Sequence, residues 1–187
     1  SGQILARVLR GVKKSVRAGI TTSDIDRLSE ELILKEKALP AFKGYKGFPA
    51  SVCVSVNEEI VHGIPGPRML LEGDIVSVDL GVNYQGYFSD IAITLPVGRI
   101  ESGKKKLIEV AKQALDIGIK QAYAGNNLSD ISHSIQSFVE GNGFSVVRQF
   151  VGHGIGIALH EEPEIPNFGK PHLGPQLESG MVLAIEP

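Results

Sequence analysis

The sequence has little cysteine, little excess charge and no long apolar run, and each shortage excludes a class of protein. The single cysteine, Cys53, cannot form a disulfide within the chain and fits a reducing compartment. A formal net charge of -2 provides no strongly basic face, so we expect no direct nucleic-acid partner. No apolar run approaches the roughly 20 residues that cross a bilayer, and no signal-peptide core is recognisable. We therefore expect a cytoplasmic protein without a membrane partner.

Three common catalytic motifs are also missing. The sequence contains no P-loop, and the glycines at 152, 154 and 156 are too closely spaced for a dinucleotide fingerprint. His153 and His160 do not have the His-Glu-x-x-His spacing of a helical zinc-protease motif. These absences argue against nucleotide chemistry and against that class of zinc protease.

The 187 residues, of which 42% are hydrophobic, are enough to bury one core, and no linker divides them. We therefore expect a single domain over 1–187. Helices and strands segregate instead of alternating singly, which predicts an α+β fold with a largely antiparallel sheet. The periodicity predicts helices within 1–18 and over 23–37 (with Ser23 as N-cap), 102–124 and 129–141. It predicts strands over 52–56, 60–62, 75–80, 88–95, 145–151 and 182–186.

Two segments end a strand with an acid in the same way. The segment 73–79 (GDIVSVD) superimposes on 180–186 (GMVLAIE) at an offset of 107 residues. A second pair, 18–25 and 124–131, agrees at an offset of 106. The two offsets predict two similar halves related by a pseudo-twofold axis. Acids at equivalent strand positions would converge on that axis, and converging buried carboxylates require a cation.

Asp79 and Asp90 flank a glycine-containing connection over 81–86. If the hairpin is centred between Tyr84 and Gln85, these aspartates lie directly opposite each other, with Cβ atoms roughly 4.5–5.5 Å apart. Two carboxylates that close would need either a shared proton or a cation between them. In the alternative interpretation the turn is longer and one aspartate caps a loop in solvent.

A second cluster surrounds His153, in the run GHGIG over 152–156, and His160, in the run HEEP over 160–163. Glycine allows the backbone to approach closely whatever His153 faces. Neutral imidazole suits divalent transition metals, and carboxylates complete such sites. Two histidines with three acids at strand ends favour a metal site, although a single histidine in such a loop is more often structural.

The remaining histidines and Cys53 permit simpler interpretations. His62 could be a surface residue at a strand end, His133 is expected on a helix surface, and His172 in a solvated loop. Cys53 could be a thiol nucleophile, but its alternation with Val52 and Val54 favours a small buried residue or one that lines a pocket.

Taken together, these motifs resemble type I methionine aminopeptidases. The resemblance extends in order over nearly the whole chain, with small gaps. Its residues are SVCVSVNEEIVHGIP over 51–65, VDL over 78–80, SD over 89–90, GHGIG over 152–156, HEEP over 160–163 and IEP over 185–187.

The resemblance implies the pseudo-symmetric, α+β pita-bread fold of the creatinase and aminopeptidase type, with a curved, largely antiparallel sheet covered by helices. It implies metal ligation by Asp79, Asp90, His153 and Glu186. The family's fifth ligand, a glutamate, has no counterpart within these residues, and both ends of the chain look cut. We therefore expect a truncated catalytic domain in which the last ligand strand is missing.

The resemblance also implies the residues that bind substrate. His62 and His160 would contact the substrate rather than the metal. Several family members have cysteine where Phe42 stands and phenylalanine where Leu159 stands, and both changes keep the pocket apolar. The residues that match the family's methionine pocket are Phe42, Tyr45, Phe48, Cys53 and Leu159.

The implied reaction is excision of N-terminal methionine from nascent proteins or peptides whose second residue is small. Two divalent ions (cobalt, manganese, iron or zinc) would activate a water whose hydroxide attacks the methionine carbonyl. Glu186 would carry the water proton to the leaving amine, His160 would donate to the oxyanion, and His62 would hold the scissile nitrogen. The expected partners are nascent chains at the ribosome, and the expected state is a monomer.

Two alternatives remain open. An X-Pro aminopeptidase or dipeptidase of the same fold shares the ligand pattern, but the segment 51–65 and the short ligand spacing favour methionine. A binding module that kept the fold and lost catalysis would explain the missing fifth ligand. Against it, each ligand position within the chain carries a competent side chain.

Overall fold

A computed structural model describes residues 1–187, and these residues divide into two compact units. Unit 1 comprises Ser1–Lys105 and Ile157–Leu159, and unit 2 comprises Lys106–Gly156 and His160–Pro187. Unit 1 contains the helices and strands α1 (Gly2–Ser15), α2 (Thr22–Lys35), β1 (Leu39–Pro40), β2 (Val52–Val56), β3 (Ile75–Tyr84) and β4 (Tyr87–Pro96). Unit 2 contains α4 (Leu128–Gly141), β5 (Gly152–Gly154), β6 (Glu161–Ile165) and β7 (Leu183–Ala184). Helix α3 (Ser102–Gln121) crosses the division after Lys105.

The sheet of unit 1 is antiparallel and is organised around β3. Strand β4 follows one edge of β3 over its whole length, whereas β2 and β1 share the other edge. The even-numbered residues of β3, from Val76 to Val82, are completely buried in a core with α1 and α2. Because side chains alternate along a strand, the odd-numbered residues of β3, including Asp79, point to the opposite face.

Helix α1 packs on this core through a single apolar stripe. Its buried residues are Ile4, Leu5, Val8 and Val12, which recur at helical spacing. The predicted N-terminal helix is therefore confirmed, and its amphipathic pattern explains why one face of the sheet is covered.

The sheet of unit 2 has the order β6-β5-β7, and both pairings are antiparallel. A separate core lies between α3, α4 and β6. Gly118 of α3 allows the two helices to approach closely, because a Cβ at that position would lie 2.8 Å from Cδ1 of Ile135. The prediction of an α+β fold with antiparallel pairing is confirmed in both units.

The internal repeat is visible in the backbone hydrogen bonds of the two units. The Gly19 amide donates to the Leu70 carbonyl and the Gly125 amide to the Leu177 carbonyl, both at 2.9 Å. These pairs are related by the predicted offsets of 106 and 107 residues. The offset of 106 residues also relates the hydrogen bonds at two helix starts. The Asp24 carboxylate accepts from the Thr21 amide, and the Asp130 carboxylate accepts from the Asn127 amide.

Several predicted boundaries were wrong. The N-cap of α2 is Thr21 rather than Ser23, because Asp24 then occupies the third helical position and completes a capping box. No strand forms at 60–62, where His62 has a φ of 58°, outside the extended region. Strand β5 forms at 152–154 rather than over 145–151, and β6 was not predicted. None of the helices is both long and apolar enough to cross a membrane.

Candidate metal centre

In unit 1, Asp79 and Asp90 lie on the same face of the β3–β4 hairpin but are not directly opposed. Asp79 faces Ala92, and Asp90 faces Gly81, so the predicted pairing was wrong. The turn consists of Gln85 and Gly86, whose φ values of 55° and 86° match a two-residue type I′ turn. The strand register therefore differs from the predicted register by two residues, so the two aspartates still lie on the same face of the sheet. The two aspartates are diagonal neighbours, for which backbone spacing gives roughly 7–8 Å.

Cys53 lies on this same face, because its Cα partner across β2 and β3 is Asp79. Burial, together with the negative charges of Asp79 and Asp90, raises the pKa of the Cys53 thiol to about 12. Both carboxylates therefore act on one buried group. The residue is buried as expected, and a thiol that stays protonated is unsuited to nucleophilic catalysis.

Phe42 covers the same face of the sheet beside Asp90. A Cβ on Gly81, the residue opposite Asp90, would lie 2.6 Å from Cε1 of Phe42. Phe42 is buried, and its carbonyl accepts a hydrogen bond from the Tyr45 amide at 2.9 Å. The Gly44 amide donates to the Phe48 carbonyl at 2.8 Å, so the three aromatic residues of the predicted pocket share one closed loop.

In unit 2, His153 lies at the centre of β5, with a glycine on each side. A Cβ on Gly152 would lie 2.2 Å from the Ala184 carbonyl oxygen, and one on Gly154 would lie 2.2 Å from the Glu162 carbonyl oxygen. Only glycine permits the neighbouring strands to approach this closely. The glycine-rich run is therefore explained by strand packing, which fixes His153 between β6 and β7.

The His153 ring has different partners at its two nitrogens. Nδ1 lies 2.8 Å from the Gly154 carbonyl oxygen, to which it donates, and Nε2 lies 3.3 Å from Oε1 of Glu186. With the proton on Nδ1, the Nε2 lone pair of a neutral ring faces a carboxylate. A second ring proton or a cation is then needed between them, and metal-binding histidines commonly donate their other N–H to a backbone carbonyl in this way.

His160 stacks beside His153, with ring centroids 4.3 Å apart and ring planes inclined at 48°. His153 is buried, whereas His160 and Glu186 are exposed. Unit 2 therefore brings together three of the predicted site residues, two of which remain open to solvent.

The remaining predicted site residues, Leu159 and His62, both belong to unit 1. Leu159 is buried, and His62 is exposed. Sequence reasoning missed Asn167, whose side-chain amide donates to the Glu186 carbonyl at 2.6 Å. No periodicity or motif marks this residue, because the contact joins two loops.

Comparison with known proteins relates the whole chain to one family. The sequence profile of metallopeptidase family M24 matches residues 1–187. The chain is 54% identical to a methionine aminopeptidase of Clostridium perfringens, and the match covers 100% of this chain and 75% of that protein. It is 52% identical to methionine aminopeptidase 1 of Bacillus subtilis, with the same two coverages. It also resembles the crystal structure of a Thermotoga maritima methionine aminopeptidase, with a TM-score of 0.97 and 47% identity over 98% of this chain and 74% of the other.

Proposed function

The chain belongs to metallopeptidase family M24, and from that membership we propose that it removes the N-terminal methionine from peptides and nascent proteins. The observation that carries this conclusion is the 54% identity, over all 187 residues, to a methionine aminopeptidase. The fold is the pita-bread fold of these enzymes. The reaction is metal-dependent hydrolysis by an exopeptidase.

The proposed metal ligands are Asp79 and Asp90 of unit 1 and His153 and Glu186 of unit 2. The donor set fits a divalent transition metal, because imidazole and carboxylate oxygens both bind such ions. Two local arrangements support this ligand set. In unit 1 the two aspartates share one face of the hairpin, and in unit 2 Nε2 of His153 faces the Glu186 carboxylate. Two ions are proposed, since carboxylates can bridge neighbouring cations. The same donors accept cobalt, manganese, iron or zinc.

When bound, the metal lowers the pKa of a water and polarises the substrate carbonyl. Glu186 is proposed to take the water proton and deliver it to the leaving amine, for which its exposed carboxylate is accessible. His160 is proposed to donate a hydrogen bond to the developing oxyanion. His62 is proposed to hold the scissile nitrogen.

The methionine side chain is proposed to bind among Phe42, Tyr45, Phe48, Cys53 and Leu159. Two facts of unit 1 support this assignment. Phe42 and Cys53 both lie on the sheet face that bears Asp79 and Asp90, and Cys53 is directly opposite Asp79. An apolar pocket beside the metal would place a methionine side chain next to its own scissile carbonyl.

We further propose that the enzyme acts in the cytoplasm as a monomer, and that residues 1–187 work as one catalytic domain. The substrate supports this location, because newly made N-termini emerge at cytoplasmic ribosomes.

Peptide release by the protein expressed from its whole reading frame tests the function. The metal-free protein is assayed on Met-Ala-Ser and Ala-Pro-Ala, with and without Mn²⁺ or Co²⁺. We expect methionine release from Met-Ala-Ser only with metal, and none from an N-acetylated copy. Faster release of alanine from Ala-Pro-Ala would favour an X-Pro peptidase. Binding of Met-Ala-Ser without release under any metal would favour a non-catalytic module.

A further inference from the structure

Asn167 is a buried residue that contacts the backbone of a proposed metal ligand. Its Nδ2 donates to the Glu186 carbonyl oxygen at 2.6 Å, and only 4% of the residue is exposed. Its Oδ1 is buried without a hydrogen-bond partner in the protein. A buried amide with one unsatisfied oxygen is costly, so packing alone gives no reason for asparagine here. The bond to Glu186 is the contact that orients the side chain.

The segment that carries Asn167 is anchored on both sides. Before it, Ile165 is buried and pairs with Gly152 of β5. After it, the Gly169 amide donates to Oε1 of Gln136 at 3.0 Å, and Nδ1 of His133 lies 3.1 Å from the Gly169 carbonyl oxygen. Both of these partners belong to α4. Asn167 is thus held in place by elements other than the segment that bears Glu186.

Glu186 follows strand β7, which pairs with β5. The β5–β7 register consists of His153 with Ala184 and Gly154 with Leu183. Glu186 follows two residues later, and its side chain is 45% exposed. A glutamate side chain has rotamer freedom that a metal ligand must lose. The Asn167 amide fixes the peptide group of that residue.

We propose that Asn167 is a positioning residue that holds Glu186 beside His153. The proposal rests on the assignment of Glu186 as a metal ligand in the proposed function. The amide bond to the carbonyl limits rotation of the Glu186 backbone, which keeps the carboxylate 3.3 Å from Nε2 of His153. Outer-shell partners of metal ligands act in this way, and their loss typically lowers metal affinity or activity roughly 10- to 100-fold.

Asn167→Leu tests this proposal, because leucine has a similar shape, lacks the donor and also removes the unsatisfied oxygen. Asn126→Leu is the matched control, since Asn126 makes the same kind of bond, from Nδ2 to the Gln121 carbonyl at 2.9 Å, at a place without a proposed ligand. Three quantities are measured: Mn²⁺ affinity of the metal-free protein by calorimetry, kinetics on Met-Ala-Ser, and amide hydrogen exchange of the peptide that covers 183–187.

For Asn167→Leu we expect Mn²⁺ affinity to fall roughly tenfold or more, kcat to fall with it, and KM to change little. Exchange over 183–187 in the metal-free protein should be roughly two- to tenfold faster, the effect of one hydrogen bond. The urea unfolding midpoint should stay close to that of the wild type. Asn126→Leu should match the wild type in affinity, kcat and this local exchange.

Unchanged affinity and exchange in Asn167→Leu would overturn the proposal, as would equal losses in both variants, which indicate general destabilisation. If Asn167→Leu does not fold, Asn167→Ala replaces it under the same criteria. A wild-type protein that binds no Mn²⁺ would contradict the proposed function instead. Faster exchange over 183–187 in the variant would then still support the fixing of Glu186 by Asn167.

Discussion

Asp79 and Asp90 are diagonal neighbours on one face of the β3–β4 hairpin, two residues away from direct opposition. Both project from the face that α1 and α2 leave uncovered, and both act electrostatically on Cys53. The offset leaves more space between the carboxylates than direct opposition would. A cation that both contact offsets their mutual repulsion.

Asp90→Asn should therefore weaken metal binding strongly. The variant loses a charged ligand, so its Mn²⁺ affinity should fall by more than the roughly 10- to 100-fold typical of outer-shell changes. Saturating Mn²⁺ should raise the urea unfolding midpoint of the wild type far more than that of the variant. Asp116→Asn, on the exposed surface of α3, is the control and should respond to Mn²⁺ as the wild type does. An equal Mn²⁺ effect in all three proteins would remove Asp90 from the ligand set.

Cys53 should resist alkylation in the folded protein. With a pKa of about 12, the thiol carries far less thiolate at pH 8 than an ordinary cysteine with a pKa near 9. The difference predicts iodoacetamide labelling on the order of a thousandfold slower in the native metal-free protein than in urea. Mass spectrometry of the labelled protein measures both rates. Rapid stoichiometric labelling of the native protein would contradict the burial and charge environment described for this residue.

Asp130 should account for part of the loss of stability in acid. The backbone amide of His172 donates to it at 2.8 Å and lowers its pKa, and the Asn127 amide lowers it further. Because the folded-state pKa is depressed, this stability is present above the unfolded value near 4 and is lost as pH falls through the folded value.

Urea midpoints at pH 7 and pH 3 check this prediction. The drop between the two pH values should be smaller in Asp130→Asn than in the wild type, whereas Asp116→Asn should keep the full drop. Asp24, the equivalent residue in unit 1, also has a lowered pKa because the Thr21 backbone amide donates to it. Asp24→Asn should consequently show the same reduction. If the urea midpoints of both variants fall between pH 7 and pH 3 as much as that of the wild type, Asp130 and Asp24 do not contribute to the loss of stability in acid.

His160→Ala should lower kcat far more than it raises KM. Removal of one oxyanion donor typically costs about 10²- to 10³-fold in kcat. Steady-state kinetics on Met-Ala-Ser measure the two constants, with His172→Ala, whose side chain is 82% exposed, as the control that should retain normal kinetics. A change confined to KM would restrict His160 to substrate binding.

Much of this arrangement could be predicted from the sequence because it depends on periodicity. The repeat offsets predicted two similar halves, and backbone hydrogen bonds recur at the same offsets. Strand alternation placed Asp79 and Asp90 on one face even though the predicted register was wrong. A two-residue error in register preserves the face, whereas a one-residue error would have reversed it. Gly86 was the signal for the correct turn, since type I′ geometry requires a positive φ at both central positions.

The parts that were missed depend on contacts between distant segments. Strand β6 contains Pro163 and three glutamates, a composition that does not indicate a strand. It forms because the glycines of β5 admit a close neighbour on each side. The contact between Asn167 and Glu186 likewise joins residues 19 positions apart, and local pattern does not encode it.

Anomalous diffraction from crystals of the protein soaked in Mn²⁺ tests the central claim most directly. We expect manganese bound by carboxylate oxygens of Asp79, Asp90 and Glu186 and by Nε2 of His153. Manganese bound elsewhere, with the Asp79 and Asp90 carboxylates pointing away from His153, would contradict it.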